Sequence, residues 1–578
     1  MRSTLLRPYW LILGLGLSLS TATAVEITVA PGGLNSGPGT NDRPLGSPLV
    51  AQQLARAAIK AGERQVRVLL RPGTYHLREP LVLGPEDIPV GGDALWEGDE
   101  AVLSGGVPLR GWEAGEPGLW TCRLPLEVPQ HSGLYAGLVP CPPSVWGPVT
   151  ISAIGPRITL AQPAPAGITG ELVVVHAWGT CRAAALSTGG TLDYQSGLAW
   201  PPVPELAPHV GSPVFIEGLT RPAPGQWRLI SGSRIEYASA DQPVEGKLVC
   251  PVLPCVLQIA GRPDAPVRRL TLRGIGVAHG AWPRPAAGVA GIQAGHIATA
   301  GREPQVAALP AAVQVTWADG VLLERVTVQG SDGSGIALGA GCRDVRLVRC
   351  TVADAGGCGI VVGWRGPTIA TLSADWADSD EIPLRNLIQR CLVTRCARLD
   401  WGSVGIAVLF SAKTQITGNQ IEDLPYSGIS LGFRWDTSLT SQKATLVEGN
   451  RIRRVMRRLC DGGAIYTLGW QPAARISDNL IEDIGGELLA KGGEQQGKGG
   501  EPQAKSSEPL VNGAPVGGMF FDNGSKGILV ENNVLVRING EPLRFNGCAP
   551  SWLLLGTNTV VTTGPTPVPP AVAEGTGP

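Results

Sequence analysis

Histidine is nearly missing from this chain. Six occur among 578 residues and none follows His296, so the chain beyond it has no imidazole to complete a metal site. Charge is scarce as well. Only 16% of residues are charged, and 47 Lys and Arg against 48 Asp and Glu leave a formal net charge of −1, which excludes a basic nucleic-acid-binding surface. Long apolar runs are absent except near the start, where Tyr9 to Leu19 follows Arg2 and Arg7 and precedes TATA. That run is too short to span a bilayer, and no Cys follows to take a lipid. The layout is that of a secretory signal peptide (1–24) cleaved after Ala22-Thr23-Ala24, so a secreted or periplasmic chain beginning near Val25, with no membrane partner, is expected. Cysteine is sparse for an exported protein of this length. The spacing of Cys342, Cys350 and Cys358, and of Cys391 and Cys396, is not that of a zinc site, and buried thiols are expected rather than disulfides.

Glycine and proline are plentiful, at 79 and 50 residues, and mark a chain rich in turns. One short phrase recurs in the C-terminal half: ITGNQIEDL from Ile416, LVEGNRIRRV from Leu446, RISDNLIEDI from Arg475, LVENNVLVRI from Leu529 and LLGTNTVV from Leu554. Its Asn residues stand at 419, 450, 479, 533 and 558, separated by 31, 29, 54 and 25 residues. The long gap holds a low-complexity insertion, residues 487–517, whose Gly, Lys, Gln and Glu cannot bury a core and which reads as a loop near the cleft mouth. A repeat of this size with alternating strands and no helical periodicity predicts one coil of a parallel β-helix, its Asn residues stacked in a ladder at one bend.

The remaining segments predict an all-β, right-handed parallel β-helix with an N-terminal capping helix and an inserted antiparallel β domain. The cap helix is expected over Pro48–Ala61, its apolar face formed by Leu54, Ala57, Ala58 and Ala61, covering the open end of the solenoid. Domain boundaries follow: cap and first coils at 25–110, the inserted domain at 111–256, the β-helix at 257–563 and a Pro-rich disordered tail at 564–578.

Several motifs occur together in one order. They are GLNSGPGTNDRPLGSP and LLRPGTYHL near the start, FIEGLTRPAPGQWRL and VAHGAWP in the middle, then GSVGIAV, LPYSGISLGFRWD, DGGAIYTLGWQP, GGMFFDNGSKGILVENN and GEPLRFNG. In this order the chain resembles the bacterial β-helix proteins around glycoside hydrolase family 141. The resemblance spans almost all of the mature chain. It implies a secreted enzyme acting on plant or algal oligo- or polysaccharides, α-L-fucosidase-like or xylanase-like; a monomer without a cofactor is expected. It also points to Asp461 in DGGAIYTLG and Asp522 in GMFFDNGS as the catalytic pair. The chain departs from the pattern in Asp522-Asn523, where Asp-Glu is expected, and in Arg544 and Asn546, where His is expected.

Glycoside hydrolysis needs a carboxylic acid to protonate the leaving oxygen and a second carboxylate as nucleophile or base. Aligning AIYTLG with MFFDNG sets Thr467 beside Asp522, with Asp461 at the entrance of its strand. The flanking Phe520 and Phe521 place the raised carboxyl on Asp522. Tyr426, Trp435, Tyr466, Trp470 and Phe545 are candidate stacking surfaces for sugar, and Arg434, Arg544 and Asn546 candidate hydroxyl or carboxylate binders. A lyase or epimerase of the same fold is the alternative, with Asp375, Asp378 and Asp380 as its candidate Ca²⁺ ligands. A non-catalytic glycan-binding protein is the third reading.

Overall fold

The computed structural model describes residues 24–562, apart from 130–131, 156, 166–168, 188–190, 195–209, 232, 286–287, 300–304, 366–374, 376–378 and 486–515, together with 569 and 572. All but the last residue of the expected signal peptide, and nearly all of the low-complexity insertion, therefore lie outside the described residues.

The chain is a right-handed parallel β-helix. Each regular coil gives two short strands to a 21-stranded sheet and one to a 10-stranded sheet. One coil, for example, contributes Leu446–Glu448 and Arg451–Arg453 to the first and Gly463–Thr467 to the second. Strand alternation sends one residue of each triplet inward, and these stack as columns. Leu323, Leu347, Ile388, Ile416, Val447, Ile476 and Val530 form one such column, all inaccessible to solvent. Each contributes about 1.5–3 kcal/mol through burial.

The bend between the two strands of the large sheet is built the same way in four successive coils. A residue in the left-handed region comes first, Gly418, Gly449, Asp478 and Asn532 with φ of 63°, 65°, 57° and 58°. The ladder Asn follows. Asn450 Oδ1 accepts from the backbone N–H and the side-chain amide of Asn419, at 3.0 and 2.9 Å, and Asn450 Nδ2 donates to the Ile416 carbonyl. Asn479, Asn533 and Asn558 repeat the pattern. Toward the N-terminus the column continues as Cys391, whose N–H donates to Asn419 Oδ1, and then Cys350. All twelve cysteines are free thiols, eleven of them buried.

A second column runs Asp354, Arg395, Asp423, Arg454, Asp483, Arg537 along the strand ends, its last four members each four residues after a ladder Asn. Each has a left-handed backbone, and the pairs Arg395–Asp354, Arg454–Asp423 and Arg537–Asp483 stand at 2.8, 2.8 and 2.5 Å.

The helix Pro48–Lys60 buries Pro48, Ala51, Gln52 and Ala55 rather than the expected face, and Leu54 is exposed. Polar anchoring decides the orientation. Gln52 donates to the Val82 carbonyl and Asp87, Arg56 pairs with Asp87 at 2.7 Å, and the two small alanines permit close approach.

Strand Asp93–Ser104 lies directly beside Leu270–Ala278, so the intervening chain leaves the solenoid and returns. It forms antiparallel sheets, the largest of nine strands. Three of those strands, Val289–Gln293, His296–Thr299 and Gln305–Ala308, come from beyond residue 256. They join because strand Gly179–Ser187 leaves an edge that Val289 and Ala290 pair, opposite Arg182 and Cys181. In the tail expected to be disordered, Val572 is buried against Leu480, Val534 and Val536. No helix among the described residues is long and apolar enough to cross a membrane.

Candidate active site

The 10-stranded sheet carries an outward column beside the apolar one: Ser430, Tyr466, Phe520 and Arg544 stand in register on consecutive coils. Thr467 therefore pairs with Phe521, one residue away from the expected alignment, and it is the Thr467 carbonyl that accepts the Asp522 N–H. A slip of one residue turns a side chain to the opposite face. Asp522 thus falls two residues beyond Phe520 on the outward side, just past the end of its strand, while Phe521 enters the core.

Both Asp522 oxygens accept hydrogen bonds. The Tyr466 hydroxyl donates to Oδ2 at 2.5 Å and the Asn546 amide to Oδ1 at 2.7 Å. Asp461 precedes strand Gly463–Thr467 in a left-handed conformation, φ 55°, that Asp tolerates better than most residues. Its carbonyl accepts from the Tyr426 hydroxyl at 2.8 Å. Tyr426 packs so tightly over the bend that a Cβ at residue 462 would come within 2.6 Å of its ring, which requires Gly462. Arg544 lies with its guanidinium 4.6 Å above the Phe520 ring and Nη2 3.8 Å from Asp461 Oδ1.

The Asp461 carboxyl is raised from its ordinary value. Burial pushes it up first, the nearby Asp522 charge adds to this, and Arg544 opposes both. The bulky Phe521 that was to dry Asp522 points inward instead. Burial and the Asp522 charge also push the Tyr466 phenol well above its usual range, so it remains a hydrogen-bond donor.

The structure brings together Asp461, Asp522, Tyr426, Tyr466, Arg544 and Asn546, but two of the aromatics have other roles than expected. Tyr426 is fully buried and Tyr466 is 2% exposed, so both act as hydroxyl donors to the aspartates rather than as sugar platforms. Phe545 stacks on Phe521 at 5.5 Å against the core, because its register position faces inward. Trp470 lies on the other sheet under Lys526, 4.7 Å from its ring centroid. Arg434 pairs with Asp436 at 3.1 Å. Trp435 is partly buried against Tyr466, Leu468 and Phe520. One contributor was read in another role and one not at all. Phe520, the floor under Arg544, was legible from alternation once the register was correct. Gln293, whose amide donates to the Tyr426 hydroxyl at 3.0 Å, comes from the inserted sheet and carries no local signal.

Among the Ca²⁺ candidates, Asp375 accepts from the Ser441 N–H and hydroxyl, Asp380 pairs with Arg343 at 2.7 Å, and Asp378 lies outside the described residues. No three His, Cys, Asp or Glu among the described residues are grouped to hold a metal ion.

No protein-family model matches the sequence, and no curated protein does. Solved structures match in fold. One described as a glycoside hydrolase aligns over 93% of this chain and 96% of its own, with 21% identity and a TM-score of 0.76. A GH136 lacto-N-biosidase from Eubacterium ramulus aligns over 93% and 67%, with 9% identity and a TM-score of 0.39. A rhamnogalacturonan lyase aligns over 93% and 87%, with 10% identity and a TM-score of 0.39. At 21% identity the likeness to the first of these shows the fold alone.

Proposed function

We propose that the chain is an exported glycoside hydrolase of the family 141 kind, acting on plant or algal glycans with α-L-fucosidase-like or xylanase-like specificity. The single observation carrying this reading is the pair itself: two carboxyls on neighbouring coils, in electrostatic contact, in two different settings. Asp461 is raised by burial and by Asp522, as a proton donor to a leaving oxygen requires. Asp522 is fixed by two donors, as a nucleophile or water-activating base requires. In this mechanism Asp461 transfers its proton to the glycosidic oxygen as the bond to the anomeric carbon breaks. Asp522 attacks that carbon or deprotonates the water that does, and the anomer released distinguishes the two. Trp435 offers a face for the sugar ring. The high-TM neighbour described as a glycoside hydrolase is consistent with the reading.

One observation favours a second reading. Arg544, a cation beside Asp461 whose buried Nε has no hydrogen-bond partner among the described residues, could neutralise a uronate carboxylate for a lyase. Screening the mature chain against aryl glycosides, xylan and pectic or algal polysaccharides, with and without chelator, separates the two. Reducing sugar without ultraviolet-absorbing product is expected, in chelator as well as without. An absorbing, unsaturated product, or activity lost in chelator and restored by Ca²⁺, would replace the hydrolase by the lyase.

A further inference from the structure

The inserted antiparallel sheet does more than decorate the solenoid. Its hairpin Val289–Thr299 turns at Ala294 and Gly295, both left-handed, and presses that turn onto the 10-stranded face. A Cβ on Gly295 would lie 2.8 Å from Cys358 Sγ, and the Ala294 N–H donates to the Gly402 carbonyl. His296 packs its ring 4.5 Å from Phe433 and is pushed down to about 4 by burial, so it stays neutral in this contact. A second contact ties the same sheet to the site: the Cys460 N–H, one residue before Asp461, donates to the Ala177 carbonyl at 3.0 Å.

Gln293, 5% exposed, ends the hairpin strand that enters this contact. Its amide nitrogen donates to the Tyr426 hydroxyl, which in turn donates to the Asp461 carbonyl. The same side chain acts on the neighbouring phenol of Tyr466, the donor to Asp522. One amide therefore holds Tyr426, and through it the Asp461 backbone, beside the Tyr466 that holds Asp522. We infer that Gln293 is a positioning residue, through which the inserted sheet sets the separation of Asp461 and Asp522. The inference deepens the hydrolase reading above and rests on it for its kinetic consequence. Asp461 takes part through its backbone, so Gln293 fixes where that residue sits rather than touching a substrate.

Gln293→Leu keeps the volume and removes the donor. The account expects kcat to fall ~10- to 100-fold with KM nearly unchanged and the melting temperature held, because a displaced catalytic group costs rate rather than binding. Gln293→Asn is too short to reach Tyr426 and should act alike, and it serves if the Leu variant does not fold. A second readout is independent of turnover. The melting curves of the wild type and Asp461→Asn separate from the unfolded carboxyl value upward, and the pH at which their gap stops widening, here the parting pH, reports the Asp461 carboxyl in its setting of Asp522, Arg544, Tyr426 and Cys460. If Gln293 holds the pair close, this pH moves down in the Gln293→Leu background as the Asp522 charge recedes. Unchanged kcat together with an unchanged parting pH would overturn the inference, as would a loss of rate that only follows a loss of melting temperature. A wild type that hydrolyses no glycan would sink the hydrolase reading, while the parting pH would still judge Gln293.

Discussion

The two sheets of this solenoid use repetition in opposite ways. On the 21-stranded sheet the same chemistry recurs coil after coil: Asn on Asn at the bend, and Arg alternating with Asp along the strand ends. On the 10-stranded sheet the outward column changes at every step, Ser430 to Tyr466 to Phe520 to Arg544, and the paired aspartates flank it. Repetition lets each polar group find its partner in the identical neighbour, which is a way of making a stable rod. A site that protonates one atom and attacks another needs unlike groups side by side. The repeat breaks on the face where the chemistry is concentrated.

That contrast can be broken from either side. The largest effect belongs to the non-repeating face. Asp522→Asn should lower turnover at least ~10³-fold, about 4 kcal/mol of transition-state stabilisation, while folding survives. The new amide can still accept from Asn546 and donate to the Tyr466 oxygen. Next comes the repeating face, where Asn450→Ala strands the Asn419 N–H and amide and the Ile416 carbonyl. A loss of about 3 kcal/mol in unfolding free energy is expected, with turnover per folded molecule unchanged. Denaturation and rate measured on one preparation test both halves. Tyr466→Phe removes a hydrogen bond to a charged group and should slow turnover ~10- to 100-fold, about 1.5–3 kcal/mol, with little change in melting. Arg454→Ala, which breaks a pair whose side chains are 35% and 25% exposed, should cost no more than about 1 kcal/mol, and less at high salt.

The smallest effect is a pH dependence. The folded-state pKa of Asp461 is raised, so the folded chain holds that proton more tightly than the unfolded one. Its contribution to stability is complete below the unfolded value of about 3.9 and is lost as pH rises through the folded value. Asp461→Asn should therefore match the wild type in acid and melt slightly higher near neutrality. Asn also accepts the left-handed φ at this position, so the bend itself is kept. A variant that melts lower at every pH would make Asp461 a structural turn residue.

The repeating face was the legible one. The Asn spacing identified the coil, its bend and the ladder, because identical partners leave an identical trace in the sequence. The candidate site was legible only in part. Asp461, Asp522, Arg544 and Asn546 were read from motifs, and the structure gathers them. Tyr426 and Tyr466 were named but given the wrong role, since burial decides whether a tyrosine presents its ring or its hydroxyl, and burial here depends on the hairpin above. The pairing of Thr467 with Phe521 is a one-residue matter that local pattern does not fix. Gln293 reaches the site only because a distant edge strand pairs into the inserted sheet, and nothing in its own neighbourhood announces that.

The most direct test of the pair as one unit is a double-mutant cycle. kcat and melting temperature are measured together for Asp461→Asn, Asp522→Asn and the double variant, on a glycan the wild type hydrolyses. If the carboxyls act together, each single change costs at least ~10³-fold and the double is little worse than the worse single, with melting temperatures held. Unchanged turnover in both singles, or rates that fall only as melting falls, would contradict the account and leave the two aspartates as parts of the scaffold.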